Sequence, residues 1–224
     1  MRAVVLSDIH ANYEALKALD GPIQGAQLRI CLGDFIGYYC QVNEVLDFVR
    51  ARDFLCVRGN HDHFLTAGYP ENASDAVRFG IDYADRVIAS DHRKWLAQLP
   101  LQWAGFLDGQ AQYSTLLCHG SPWNPLEDYL YADSPMLPEL ARFTYDLIAF
   151  GQTHRPLLLT QSSRSRLNPG SVGQSRHRPS VACAAVIDDS CDPKITLIEV
   201  PYDSAVVSRL AVKAGAGEWI HKHL

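Results

Sequence analysis

The chain has 224 residues, of which 47% are hydrophobic and 20% charged, the balance of an ordinary globular protein rather than a disordered or fibrous one. With a prior of about 150 residues per domain, a single domain over 1–224 is expected. The net charge of -5 lacks the basic excess that binding to a nucleic-acid backbone demands, so no stable nucleic-acid complex is expected, although a nucleotide can still serve as a small substrate.

In chain order, short apolar runs alternate first with amphipathic stretches, the rhythm of parallel strands joined by crossover helices. Ala3 to Leu6 reads as a strand ending in Ser7, Asp8, Ile9 and His10. Tyr13 to Leu19 reads as a helix with Asn12 as N-cap and Gly21-Pro22 as its stop. Leu28 to Leu32 is a second strand, Val42, Val45, Leu46 and Val49 mark a second helix, and Phe54 to Val57 is a third strand running into Arg58, Gly59, Asn60, His61 and Asp62. The pattern over 71–99 is helical and closed by Pro100, a helical insertion between core strands. Leu101 to Leu107 and Tyr113 to Cys118 form a hairpin about Asp108-Gly109, and 121–138 is a long loop with a short helix. Asp146 to Phe150, Pro156 to Thr160, Val181 to Ile187 and Ile195 to Val200 complete the strands, and Ser204 to Lys213 is a last helix. Two sheets packed face to face and covered by helices fit this order.

The six cysteines, Cys31, Cys40, Cys56, Cys118, Cys183 and Cys191, contain no CxxC pair and read as buried thiols. Nothing at the start resembles a signal peptide, and no run approaches the about 20 apolar residues of a membrane helix. A cytoplasmic location and no membrane partner are expected.

Five polar clusters follow expected strands: Asp8 with His10, Gly33-Asp34, Gly59 to Asp62, His119-Gly120, and Gly151 to His154. Any one alone reads as a turn or a satisfied core histidine. Their recurrence at the carboxyl ends of strands, where ligands gather in sheets with parallel strands, points to one metal site. Carboxylate, imidazole and amide oxygen without a thiolate pair suit manganese, iron, zinc or magnesium rather than a structural cysteine-bound zinc.

The order DxH, GD, GNHD, HG and GxTH resembles the calcineurin-like metallophosphoesterase superfamily. LSDIHANYEAL at 6–16, LGDFIGYY at 32–39, CHGSPWNPLEDYL at 118–130 and NPGSVGQ at 168–174 are similar to its YfcE-like phosphodiesterase and phosphatase branch. The resemblance implies a four-layer α/β/β/α sandwich of two mixed β-sheets flanked by helices. It implies two divalent ions, manganese foremost, with iron, zinc, nickel or magnesium as alternatives. Asp8, His10, Asp34 and His154 would hold the first; Asp34 would bridge to the second, which would also take Asn60 and His119. His61 would be the catalytic histidine, assisting the leaving group, with Asp62 orienting its ring. The family pattern commonly has histidine where this chain has Gln152, whose amide oxygen is a poorer ligand for zinc or iron, so a weaker second site or one preferring manganese or magnesium is expected.

The activity implied is hydrolysis of a small phosphate ester, with nucleotide-derived esters among the candidates, by a water bridging the metals and acidified to hydroxide. A phosphodiesterase is favoured. A phosphomonoesterase acting on phosphoprotein or nucleotide is the alternative, and a binding module that keeps the fold without turnover is a third reading, which Gln152 alone favours. Arg58 and Arg155 read equally as phosphate contacts or as solvent-facing and are left out of the site, and Trp123, Tyr129 and Tyr131 read as packing over the loop rather than stacking on a substrate. Asn168-Pro169-Gly170 reads as a tight turn, and His221 and His223 as a solvated tail. Oligomeric state is left open.

Overall fold

The computed structural model describes residues 1–107, 113–188 and 194–224, the side chains of 222 and 223 excepted. The expected Asp108-Gly109 turn, Cys191 and the His223 side chain lie outside the described residues.

The first half runs β1 (Arg2–Leu6), α1 (Tyr13–Ala18), α2 (Asp20–Gln24), β2 (Leu28–Cys31), α3 (Val42–Arg50), β3 (Leu55–Cys56), α4 (Asn60–Ala67), α5 (Asp75–Val87) and α6 (Ser90–Gln98). There follow β4 (Gln102–Phe106), β5 (Ser114–Cys118), a 3-10 turn at Pro138–Arg142, β6 (Leu147–Ala149), β7 (Leu157–Gln161), β8 (Arg164–Asn168), β9 (Val181–Asp188), β10 (Lys194–Pro201), α7 (Ser204–Lys213) and a 3-10 segment at Glu218–His223. One sheet has the order β10-β9-β1-β2-β3 and the other β4-β5-β6-β8-β7. Within the first, β1, β2 and β3 are parallel, with Leu6 opposite Cys31 and Cys31 opposite Cys56. Within the second, β5, β6 and β8 are parallel. Both sheets are mixed, because β9, β10, β4 and β7 run antiparallel to their neighbours.

Side-chain alternation explains the layering. Ala3 and Val5 of β1 meet Ile30, Leu117, Leu147, Ala149, Leu167 and Ile187 between the sheets. Val4 and Leu6 face the other way, onto Leu16, Val45, Leu46, Val49 and Val207 of the helices. The outer face of the second sheet, Leu116, Cys118, Ile148 and Phe150, is covered by Leu130, Leu137 and Leu140 from the loop and 3-10 turn. Helix, sheet, sheet and helical loop therefore stack as the expected four-layer α/β/β/α sandwich.

Local departures from expectation have physical causes. Asn12 caps α1 as expected, accepting from the Ala15 amide at 3.0 Å. Gly21-Pro22 does not stop the chain's helical course: both fall in the first turn of α2, where a missing N–H costs nothing. The helical stretch at 71–99 is two helices. Asn43 caps the break between them, its amide group donating to Val87 O and its oxygen accepting from Ala89 N, both at 2.9 Å. Gly59 to Asp62 is not a loop, since Asn60 begins α4. Strand β8 was not expected at all.

Candidate metal centre

The parallel strands of each sheet aim their carboxyl ends at one edge of the sandwich, and the polar clusters converge there. Asp8 and His10 follow β1, Asp34 follows β2, Asn60 and His61 open α4 just beyond β3, His119 follows β5, and Gln152 and His154 follow β6. All are buried. Turning a side chain inward directly after a strand requires an abrupt bend, and Asp8, His10, Asp34, Gln152 and His154 all take positive φ, between 52° and 66°. This left-handed backbone is strained for residues with a Cβ and is retained only where surrounding bonds enforce it. Those bonds are present: Asp8 N donates to Gly33 O at 3.0 Å, His10 N to Asp34 O at 2.9 Å, and Gly173 N to Asp8 O at 3.0 Å.

Three imidazoles are oriented in the same way. The Nδ1–H of His10 donates to Ile36 O at 3.1 Å, that of His119 to Leu32 O at 2.8 Å, and that of His154 to Gln174 O at 2.8 Å. A carbonyl can only accept, so Nδ1 carries the proton, and in the neutral ring Nε2 keeps its lone pair. These Nε2 atoms point at one another and at oxygens. His10 Nε2 is 3.0 Å from His154 Nε2, His119 Nε2 is 3.1 Å from Asn60 Oδ1, and His154 Nε2 is 3.1 Å from Asp8 Oδ1. Asp34 divides its carboxylate: Oδ1 accepts the His61 amide at 2.8 Å, while Oδ2 lies 3.2 Å from His119 Nε2 and 3.8 Å from His10 Nε2. Facing lone pairs in a buried site call for a cation between them. Asp8, His10 and His154 form one group able to hold a metal ion, Asp8, Asp34 and His119 a second, and His10, Asp34 and His61 a third.

Electrostatics follow from this crowding. Burial opposes the charge on Asp8, but His154 and His119 outweigh it and hold the carboxyl down to about 2. Asp34 is likewise held at about 2, burial being overcome by His119 and His61. Burial also opposes charge on His119, yet Asp34 and Asp8 carry it up to about 10. Burial, reinforced by His154, keeps His10 well below its ordinary value, and burial together with His154 and His119 lowers His61.

Asp62, expected to orient the His61 ring, is engaged by backbone donors. Its Oδ2 accepts from Asp34 N at 2.8 Å and Gly59 N at 3.0 Å, and its Oδ1 from Phe35 N at 3.0 Å and Ile36 N at 3.4 Å. The carboxylate takes four backbone donors and so pins the Asp34 loop to the start of α4, and none of these bonds reaches the His61 ring. His61 is instead held by packing: its ring lies 4.9 Å from Tyr38 and 4.8 Å from His10, and its buried Nδ1 has no hydrogen-bond partner. Gly37, at φ 97°, provides the room, because a Cβ there would collide with that Nδ1. Gln152 donates through its Nε2 to Leu126 O at 3.2 Å, and its Oε1 is buried with no hydrogen-bond partner among the described residues.

Residues 1–190 match the calcineurin-like phosphoesterase superfamily domain. The chain belongs to this superfamily. An uncharacterised protein of Methanocaldococcus jannaschii is 30% identical over 242 residues, spanning 98% of this chain and 96% of its own. Among solved structures, a metallophosphoesterase from Sphaerobacter thermophilus is 25% identical with a TM-score of 0.84, covering 99% of this chain and 97% of its own. A hypothetical protein from Pyrococcus horikoshii OT3 shares the fold at 20% identity, with a TM-score of 0.83 over 99% of this chain and 96% of its own. The calcineurin-like phosphoesterases depend on metal, and the donor set here fits that requirement by chemistry: hard oxygens and imidazole nitrogens, buried and turned toward one another.

Sequence reasoning passed over several residues that build the centre. Asn168 is a buried brace rather than a mere turn residue, donating from Nδ2 to Gly151 O at 2.7 Å and to Thr153 Oγ1 at 3.1 Å, which sets the loop carrying Gln152 and His154. Tyr38 packs edge-on against His10 with centroids 4.6 Å apart. Arg176 donates its backbone N–H to His154 O at 3.2 Å. Of the residues set aside, Arg155 is exposed, Arg58 donates to Ala97 O, Trp123 packs on Phe143 at 5.3 Å and His221 meets Ser208 at 3.1 Å.

Proposed function

We propose that this chain is a metal-dependent phosphoesterase, with diesters its favoured substrates and monoesters the alternative. The observation that carries the reading is the set of inward Nε2 atoms and carboxylate oxygens, each imidazole anchored through Nδ1 to a backbone carbonyl. Asp8, His10, Asp34 and His154 hold a first divalent ion in this reading, and Asp34, Asn60, His119 and Gln152 a second. The free Oε1 of Gln152 supports its part, and an amide oxygen in place of imidazole favours manganese or magnesium there. Bound metals supply a nucleophile at neutral pH and relieve negative charge on the phosphoryl oxygens.

The chain's own residues do the rest. Asp34 Oδ2 stands between the histidines of the two sheets, while its Oδ1 is fixed by the His61 amide, so Oδ2 is already held among the residues that would take the metal. His61 turns Nε2 toward the cluster, 4.0 Å from Asp34 Oδ2. Burial lowers its proton affinity; an incoming phosphate anion opposes that and lets Nε2 carry the proton given to the leaving oxygen. Because His61 also groups with His10 and Asp34, a ligand role is the second reading. His61→Ala separates them. The proton-donor role predicts full metal content with a rate loss smallest for nitrophenolate leaving groups; loss of metal transfers His61 to the ligand set.

We take 1–224 as one domain with 71–99 as its helical insertion, and the cytoplasm as its location. The unpaired Cys31, Cys40, Cys56, Cys118 and Cys183 suit a reducing compartment. Among the described residues no helix is long and apolar enough to cross a membrane.

The deciding experiment is hydrolysis of bis-p-nitrophenyl phosphate by metal-stripped protein with manganese, magnesium, nickel, zinc or iron(II) restored singly, beside p-nitrophenyl phosphate and an Asp34→Asn control. Metal-dependent turnover lost in the variant is expected, faster on the diester. Inactivity on both esters with every metal would leave the binding-module reading.

A further inference from the structure

Arg176 lies beside the centre and is underused. Its backbone N–H donates to the carbonyl of His154, which places it next to a candidate ligand. A guanidinium offers five N–H donors. Among the described residues this one makes a single side-chain bond, a long 3.4 Å contact from Nη2 to the Tyr38 hydroxyl, and its Nε is buried with no partner. The next two residues differ: His177 and Arg178 both pair with Glu199, at 3.2 and 3.4 Å. A buried N–H that finds no acceptor in the protein costs free energy unless a ligand supplies one.

An aromatic pair on the loop after β5 lies within electrostatic reach of Arg176. The loop leans on the centre where Leu126 O accepts from the Gln152 amide at 3.2 Å, and it is stiffened by Ser121 Oγ donating to Asp128 Oδ2 at 2.6 Å and Gly120 N to Pro125 O at 2.7 Å. Tyr129 and Tyr131 stack with centroids 6.1 Å apart and planes 13° from parallel, yet remain 45% and 38% exposed. Their packing is therefore with each other, leaving ring surface free. Tyr129 is near enough to the centre for its hydroxyl to feel Gln152, Asp34 and Arg176.

We propose that Arg176 and Tyr129 form a recognition wall over the centre, Arg176 holding a phosphate oxygen through its uncommitted guanidinium donors and Tyr129 stacking on a nucleobase carried by the ester. This rests on the phosphoesterase reading and narrows its substrates to nucleoside phosphate esters. A guanidinium suits a phosphate oxygen by charge and by its fixed fork, and base stacking on tyrosine is tolerant of which base is present. Tyr38, packed against His10 and His61, takes the Nη2 contact of Arg176 through its hydroxyl.

The test compares thymidine 5′-(p-nitrophenyl phosphate) with methyl p-nitrophenyl phosphate, which share a leaving group and differ in carrying a nucleoside or a methyl group. On metal-loaded protein the nucleoside ester should be favoured in kcat/KM by about tenfold or more, and Tyr129→Ala should bring the ratio near one. Arg176→Ala should lower kcat/KM for both esters by about 10- to 100-fold, mainly through KM, and weaken inhibition by inorganic phosphate in step, with Arg176→Lys between. Metal content measured alongside excludes loss of the centre, and if the alanine variant does not fold, the lysine variant decides. A native ratio near one, a ratio unmoved by Tyr129→Ala, or phosphate inhibition unmoved at Arg176 overturns the wall. If native protein hydrolyses neither ester with any metal, the phosphoesterase reading falls. Calorimetric binding of thymidine 5′-monophosphate against inorganic phosphate then judges the wall alone: tighter nucleotide binding that Tyr129→Ala removes upholds it, and equal binding overturns it.

Discussion

At the scale of single residues, His119 differs from its neighbours in a way that metal binding must expose. Asp34 and Asp8 raise it to about 10 against the opposing effect of burial, whereas burial keeps His10 well below its ordinary value. At pH 7.5 the stripped protein therefore carries a second proton on His119, at Nε2, because Nδ1–H is committed to Leu32 O. A metal at Nε2 displaces that proton, while His10 is already neutral and releases none. Metal binding at pH 7.5 should expel about one proton, and metal affinity should rise about tenfold per pH unit from this group until the pH reaches about 10. Calorimetry in two buffers of different ionisation heat reads the number directly. Zero protons released, or the same release from a His119→Gln variant, would show that His119 is not displaced by metal.

At the scale of elements, the join between β3 and α4 depends on Asp62. One carboxylate, 1% exposed, satisfies backbone N–H groups of Asp34, Phe35, Ile36 and Gly59. Asp62→Ala strands these donors and should cost about 3–5 kcal/mol in urea unfolding. Loss of rate at unchanged stability would instead return Asp62 to a role in chemistry. The same element marks where sequence reading stops. The ligand-bearing clusters were legible because each followed an apolar run, and β1, α1, α3 and α7 were legible from their periodicity. Gly59 to Asp62 concealed a helix start because the side chains of its first turn face the centre instead of forming an amphipathic face. Strand β8, Arg-Ser-Arg-Leu-Asn, concealed a buried central strand because Arg166 hides its charge by donating to the carbonyls of Leu140, Phe143 and Tyr145, an arrangement set by tertiary structure alone. Arg176 was passed over for a similar reason, sitting in a run, Gln174 to Arg178, whose composition is that of a solvated loop.

At the scale of the molecule, two sheets meet through an apolar interface that ends at the centre, and candidate ligands come from both: Asp8, His10, Asp34 and Asn60 from one, His119, Gln152 and His154 from the other. A cation between them links the sheets at the edge where the core gives way to facing lone pairs and buried carboxylates. Metal that binds this arrangement and not the unfolded chain must stabilise the fold, by about 2.7 kcal/mol at a free concentration one hundred times the Kd. For a chain of 224 residues that corresponds to a rise in Tm of about 5–10 °C. Stripping with chelator should lower Tm by this amount and manganese should restore it. The Asp34→Asn variant should show a smaller span between the two states, because Asp34 belongs to two of the candidate metal-holding groups. A Tm indifferent to chelator and metal would mean that hydrogen bonds and packing alone hold the sheets together at this edge, and that the inward lone pairs are satisfied by protons.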